Sequence, residues 1–89
     1  MILESQHIQE VLQGTGWIQK GKSLVKTFKF DSYMKAISFV NTVASLAEDM
    51  HHHPEITIHY DRVRLQLSTH EEGGVTDKDV SFAHEVEEI

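Results

Sequence analysis

The sequence predicts an α+β fold: an αββαββα two-layer sandwich, with a four-stranded antiparallel sheet carrying helices on one face. Three observations predict it. Two separate stretches each hold a pair of extended runs joined by a short turn, the pattern of a β-hairpin. Between them lies a long segment whose apolar residues recur at spacings of three and four, the period of a helix. Shorter stretches of the same period open and close the chain.

Taken in order, Ile8, Val11 and Leu12 share one helical stripe over roughly residues 4 to 13, and Gly14 in "GTG" supplies the left-handed conformation that stops a helix. "WIQKGKSLVKTFKF" then gives two extended runs about Gly21, with Leu24, Phe28 and Phe30 on one face and Val25, Thr27 and Lys29 on the other. Asp31 or Ser32 caps the main helix, in which Tyr33, Ile37, Val40, Ala44 and Ala47 form a stripe. That helix runs to about Met50 and is finished before Pro54, because proline disfavours helical geometry in the residue ahead of it. Ile56, Ile58 and Tyr60 alternate with polar neighbours, as do Val63, Leu65 and Leu67 with Arg62, Arg64, Gln66 and Ser68, so two half-buried strands turn at Asp61. Thr76 as N-cap, Asp79 three residues on as its capping-box partner, and a Val75–Val80 staple start the closing helix. The second face of the sheet is left needing cover or a role.

Composition narrows the function classes. Eighty-nine residues make one domain, residues 1–89, with a core small enough that a partner subunit is expected to help it. A hydrophobic content of 39% with 25% charged residues is that of a globular chain and too apolar for a disordered one. The absence of cysteine excludes a disulfide framework, a thiolate metal site and a cysteine nucleophile. The start lacks a basic, apolar leader and no stretch approaches the ~20 apolar residues that span a bilayer, so the expectation is a cytoplasmic chain without a membrane partner. A net charge of -6 with no clustered lysines or arginines argues against direct binding to nucleic acid.

The chemistry-bearing stretch is "EDMHHHPE", residues 48 to 55, at the exit of the main helix, with His70 at the end of the fourth strand. Three readings compete. Histidines at a helix C-terminus complement the negative end of its dipole and need no further role, although that leaves His70 unexplained. A metal site needs ligands in fixed geometry, but neighbouring residues point in different directions and no histidine pair lies four apart on the helix. An acid/base site needs imidazoles near their ordinary pKa of ~6.5, with carboxylates to orient them, which Glu48 and Asp79 can supply. Ser68 and Ser81 lack a nucleophile elbow and read as surface, as do His7, His59 and His84. "EEGG" reads as a flexible connection, since paired acids repel phosphate, and Trp17 reads as core, with a wall for a flat ligand as the alternative.

Together, Glu48, "HHP" at His52 to Pro54, Tyr60, His70 and Asp79, at their spacings, resemble the signature of the pterin-4a-carbinolamine dehydratase family. "GW" at Gly16 and Trp17, the "FKF" strand end at Phe28 to Phe30, and "THEEGG" running into "VTDKD" extend the likeness over nearly the whole chain. The resemblance implies the same αββαββα fold in dimers or tetramers. It implies a hydro-lyase that removes water from 4a-hydroxytetrahydropterin, giving quinonoid dihydropterin and recycling the pterin for an aromatic amino acid hydroxylase, with no metal or organic cofactor. By position it makes His52 and His70 the acid/base pair, His53 the residue that holds the pterin, and Glu48 and Asp79 the accompanying substrate-site carboxylates. His51 has no counterpart. The alternative is a non-catalytic pterin-binding or protein-interaction module, of the kind that stabilises dimers of a homeodomain transcription factor or is tied to molybdopterin metabolism. Ile56 departs from the pattern, since many members carry an aromatic residue after "HHPE", and a stacking contact with the pterin is expected to be missing.

Overall fold

The computed structural model describes Met1–Ile89. Its elements are α1 (Ser5–Val11), β1 (Ile18–Lys20), β2 (Ser23–Lys29), α2 (Tyr33–Met50), β3 (Glu55–His59), β4 (Arg62–Leu67) and α3 (Asp77–Glu87). The strands form one antiparallel sheet in the order β1-β2-β4-β3, so the two hairpins join through β2 and β4 at the centre.

Strict alternation sets the two faces of the sheet. In β4, Val63, Leu65 and Leu67 are buried and Arg62, Arg64 and Gln66 point the other way. The register carries this across: Leu24 lies opposite Leu67, Phe28 opposite Val63 and Ile56 opposite Leu65, all on the side of the helices. These residues form one core with Ile8 and Leu12 of the first segment, Ala36, Val43 and Ala47 of α2, and Phe82, Ala83 and Val86 of α3. The opposite face carries Thr27, Lys29, Thr57, His59, Arg62 and Arg64, with Val25 its one buried apolar residue.

Local signals explain the element ends. Ser32 caps α2 by accepting from the Lys35 N–H at 3.1 Å. His51 closes it in the left-handed conformation (φ 53°, ψ 40°), and the His52 N–H returns to the Ala47 carbonyl at 3.1 Å. α3 starts with the Thr76–Asp79 capping box, as the sequence predicts.

Two expectations are corrected. The first helix ends at Val11, with Leu12 as its cap, so it is shorter than the predicted span. The buried stripe of α2 is Ala36, Val43 and Ala47 with Phe39, Val40 and Leu46 beside it, while Tyr33 and Ala44 are exposed. Apolar residues recur at helical spacing on more than one side of α2, and spacing alone does not say which side meets the sheet. Tyr33 instead stacks on Tyr60 at the β3–β4 turn, ring centroids 6.3 Å apart.

Candidate active site

One end of the sandwich collects the residues singled out in the sequence. The C-terminus of α2, the start of β3, the end of β4 and the N-terminus of α3 all lie there by topology, together with the β1–β2 turn. His51 reverses the chain and Pro54 keeps the residue ahead of it extended, so His52 and His53 leave the helix with different surroundings. The His52 side chain is 12% exposed and that of His53 is 64% exposed.

His52 is held by a buried carboxylate. Its Nε2 lies 2.6 Å from Oδ1 of Asp79, whose side chain has no solvent exposure, and its ring meets Phe82 edge-on. The second oxygen of Asp79 accepts from the Thr76 N–H at 2.9 Å and the Thr69 hydroxyl at 2.8 Å. With its proton given to Asp79, Thr69 Oγ1 is left to accept from the Thr76 hydroxyl, 2.7 Å away. A buried carboxylate is tolerated only when so satisfied, and no buried polar side-chain atom in the protein lacks a partner. Since a carboxylate only accepts, Nε2 of His52 carries the proton toward Asp79, leaving Nδ1 as the nitrogen able to exchange one.

His53 forms the outer pair, its Nε2 2.5 Å from Oε2 of Glu48 in the last turn of α2. Both side chains are exposed, and the hydrogen bond and then the charge of His53 hold the Glu48 carboxyl below its ordinary value of 4.5.

His53 and His70 meet on the wall of one cavity of about 280 Å³, near the lower end of the range for small-molecule sites. His70 is presented by a turn in which the Thr69 N–H reaches Gly74 O at 2.9 Å, and Gly73, at φ 80°, allows the chain to close back. Lys22, Ser23, Glu55, Gln66, Ser68 and Gly73 complete the wall, with no apolar residue. His52, Glu48 and Asp79 do not line this cavity, although Glu48 is bonded to His53, which does. No group of three or more histidine, aspartate or glutamate side chains is arranged to hold a metal ion.

The polar wall escaped sequence reasoning. Glu55 lies opposite Gln66, which reaches diagonally to Ser23, two residues before its own β2 partner Val25, a neighbourhood set by register that chain distance hides. Ser68, read as surface, donates to the Lys22 carbonyl at 2.8 Å. Two other positions are now placed. Trp17 is buried at 5% exposure, packs edge-on to Phe28 and donates to Glu87 at 3.0 Å, away from the cavity. Ile56 faces the core opposite Leu65, so it is not a missing wall of the cavity.

The family model for pterin 4 alpha carbinolamine dehydratase matches residues 1–89. The chain belongs to the pterin-4a-carbinolamine dehydratase family. A relative from Thermomicrobium roseum, provisionally named a pterin-4-alpha-carbinolamine dehydratase, is 49% identical over 74 residues, 83% of this chain and 80% of its own length. One of the same provisional name from Sulfurisphaera tokodaii is 39% identical over 88 residues, 99% of this chain and 95% of its own. Among solved structures, a transcriptional coactivator/pterin dehydratase from Brucella melitensis superposes with a TM-score of 0.88 at 32% identity, covering 97% of this chain and 95% of that one. A pterin dehydratase-like protein identified as a RuBisCO assembly factor in the alpha-carboxysome superposes at 0.67 with 26% identity, covering 81% and 83%. This family fold is therefore shared by members named for catalysis and members named for assembly or coactivation. No helix is long and apolar enough to cross a membrane.

Proposed function

We propose that this family member is a dehydratase acting on 4a-hydroxytetrahydropterin, which it converts to quinonoid dihydropterin and water. The observation that carries the reading is the cavity walled by His53 and His70, together with the imidazole of His52, the chain neighbour of His53, oriented by the buried Asp79.

In this reaction the C4a–O bond breaks, one proton joins the departing hydroxyl to make water, and N5 gives up its proton as the C4a–N5 double bond forms. No net oxidation occurs. A proton donor at the hydroxyl and an acceptor at N5 are the whole requirement, and two imidazoles suit it at neutral pH. His52 and His70 are assigned these exchanges, with Nδ1 of His52 as its working nitrogen. His53 holds the ring, steadied by Glu48, and Asp79 keeps the His52 ring in one tautomer and orientation. The product fits recycling of tetrahydropterin for an aromatic amino acid hydroxylase. A homo-oligomer in the cytoplasm is part of the same proposal, supported by the free edge of β3 with Ile58 exposed on it and the exposed Tyr33–Tyr60 stack beside it.

The test is stopped-flow loss of enzymatically generated 4a-hydroxytetrahydropterin, with wild type beside a His52→Ala, His70→Ala double variant. Faster decay with the wild type alone supports the proposal. Failure of the folded wild type to accelerate decay rejects it in favour of a second reading, a pterin-binding or interaction module. That reading is favoured by the structural neighbour identified as an assembly factor.

A further inference from the structure

Glu55 opens β3 on the outward face of the sheet, opposite Gln66 in the register. It is the single carboxylate on the wall of the cavity that holds His53 and His70. Its neutral neighbours are already engaged. Gln66 accepts from Arg64 Nη1 at 3.0 Å and donates to Ser23 Oγ at 3.2 Å, and the Ser68 hydroxyl goes to the Lys22 carbonyl. Glu55 takes part in none of the protein's ion pairs, so both of its oxygens are available to a ligand.

An ionised carboxylate offers two coplanar acceptors, and its best partner presents two parallel N–H donors. A 2-amino-4-oxopterin has such a fork on its pyrimidine edge, formed by the exocyclic 2-amino group and N3–H. With no apolar residue on the wall, selection among flat heterocycles falls to hydrogen bonding. We propose that Glu55 reads this donor edge, making the cavity selective for 2-amino-4-oxo heterocycles over their 2,4-dioxo counterparts. The inference rests on the pterin reading of the site. An oxygen in place of the 2-amino group removes one donor and sets an acceptor against the carboxylate, so discrimination comes from lost attraction and added repulsion together. Engaging that edge leaves the other ring, with N5, to the histidines.

The experiment is a fluorescence titration of wild type, Glu55→Gln and Glu55→Ala with a 7,8-dihydropterin and the matching 7,8-dihydrolumazine, folding being checked by circular dichroism. The wild type is expected to favour the 2-amino compound by roughly 10- to 100-fold, the scale of a hydrogen bond to a charged group. Both variants are expected to bring that preference within about threefold of unity. Preference kept intact in both folded variants overturns the role of Glu55 and leaves the pterin reading standing. Absence of binding of either compound to the wild type overturns both.

Discussion

Asp79 receives the Nε2 of His52 on one oxygen, at 2.6 Å, and caps its own helix with the other, through the Thr76 N–H at 2.9 Å. One buried carboxylate thereby joins the start of α3 to the residue at the exit of α2. The side chain that caps the helix is also the one that orients the imidazole, which couples stability to the site.

Replacing that carboxylate tests the coupling. Asp79→Asn keeps the volume but turns an NH₂ toward one of three donors, so unfolding free energy is expected to fall by about 1–3 kcal/mol. Dehydration is expected to slow at least ~10-fold in protein that is still folded, since the amide no longer enforces one tautomer of His52. Urea denaturation beside stopped-flow assay checks both, and an Asn variant with wild-type stability would refute the coupling.

The outer pair gives a pH dependence. Glu48 is held below its ordinary 4.5 by the hydrogen bond and charge of His53, so it binds its proton less readily folded than unfolded. Its contribution to stability is therefore present above the ordinary carboxylate value and is lost as pH falls through the lowered folded value. Urea midpoints of wild type and Glu48→Gln should differ at pH 5 and converge in stronger acid. Both side chains being exposed, the difference is expected to be small and to shrink in high salt. A gap that widens on acidification contradicts the assignment.

His51 is a separable case. It occupies the left-handed region at φ 53°, where a side chain is strained and glycine is not, and its side chain is exposed. His51→Gly is expected to raise stability by about 0.5–1 kcal/mol, strain relief exceeding the added unfolded-state entropy. Dehydration should stay at the wild-type rate. Thermal melts and the same assay decide this, and a destabilised protein would show that the imidazole holds the helix end by some other contact.

Far from the cavity, Glu87 accepts from the buried Trp17 indole at 3.0 Å and pairs with Lys26 at 2.9 Å. Glu87→Ala leaves a buried N–H without a partner and is expected to cost about 1–2 kcal/mol. Ligand affinity at the His53–His70 cavity should be unaffected. A titration that showed weakened binding would mean that α3 transmits strain to the site.

Much of this was legible in the chain itself, for reasons confined to a few residues at a time. Strict alternation in residues 62–67 determined which side chains of β4 are buried, because a strand's faces repeat every two residues. Pro54 bounded α2, and Thr76 with Asp79 started α3, because caps act over one helical turn. The "HHP" segment with its distant partners marked the family. Three things needed the tertiary structure. The buried side of α2 depended on which of its apolar stripes met the sheet. The contrast between His52 and His53 depended on the left-handed turn at His51 and on where Asp79 stood. The cavity wall unites residues from Lys22 to Gly73, which become neighbours only through the strand order β1-β2-β4-β3 and its register. Local sequence sets dihedral preferences and faces, whereas proximity across the sheet is a property of how the two hairpins pair.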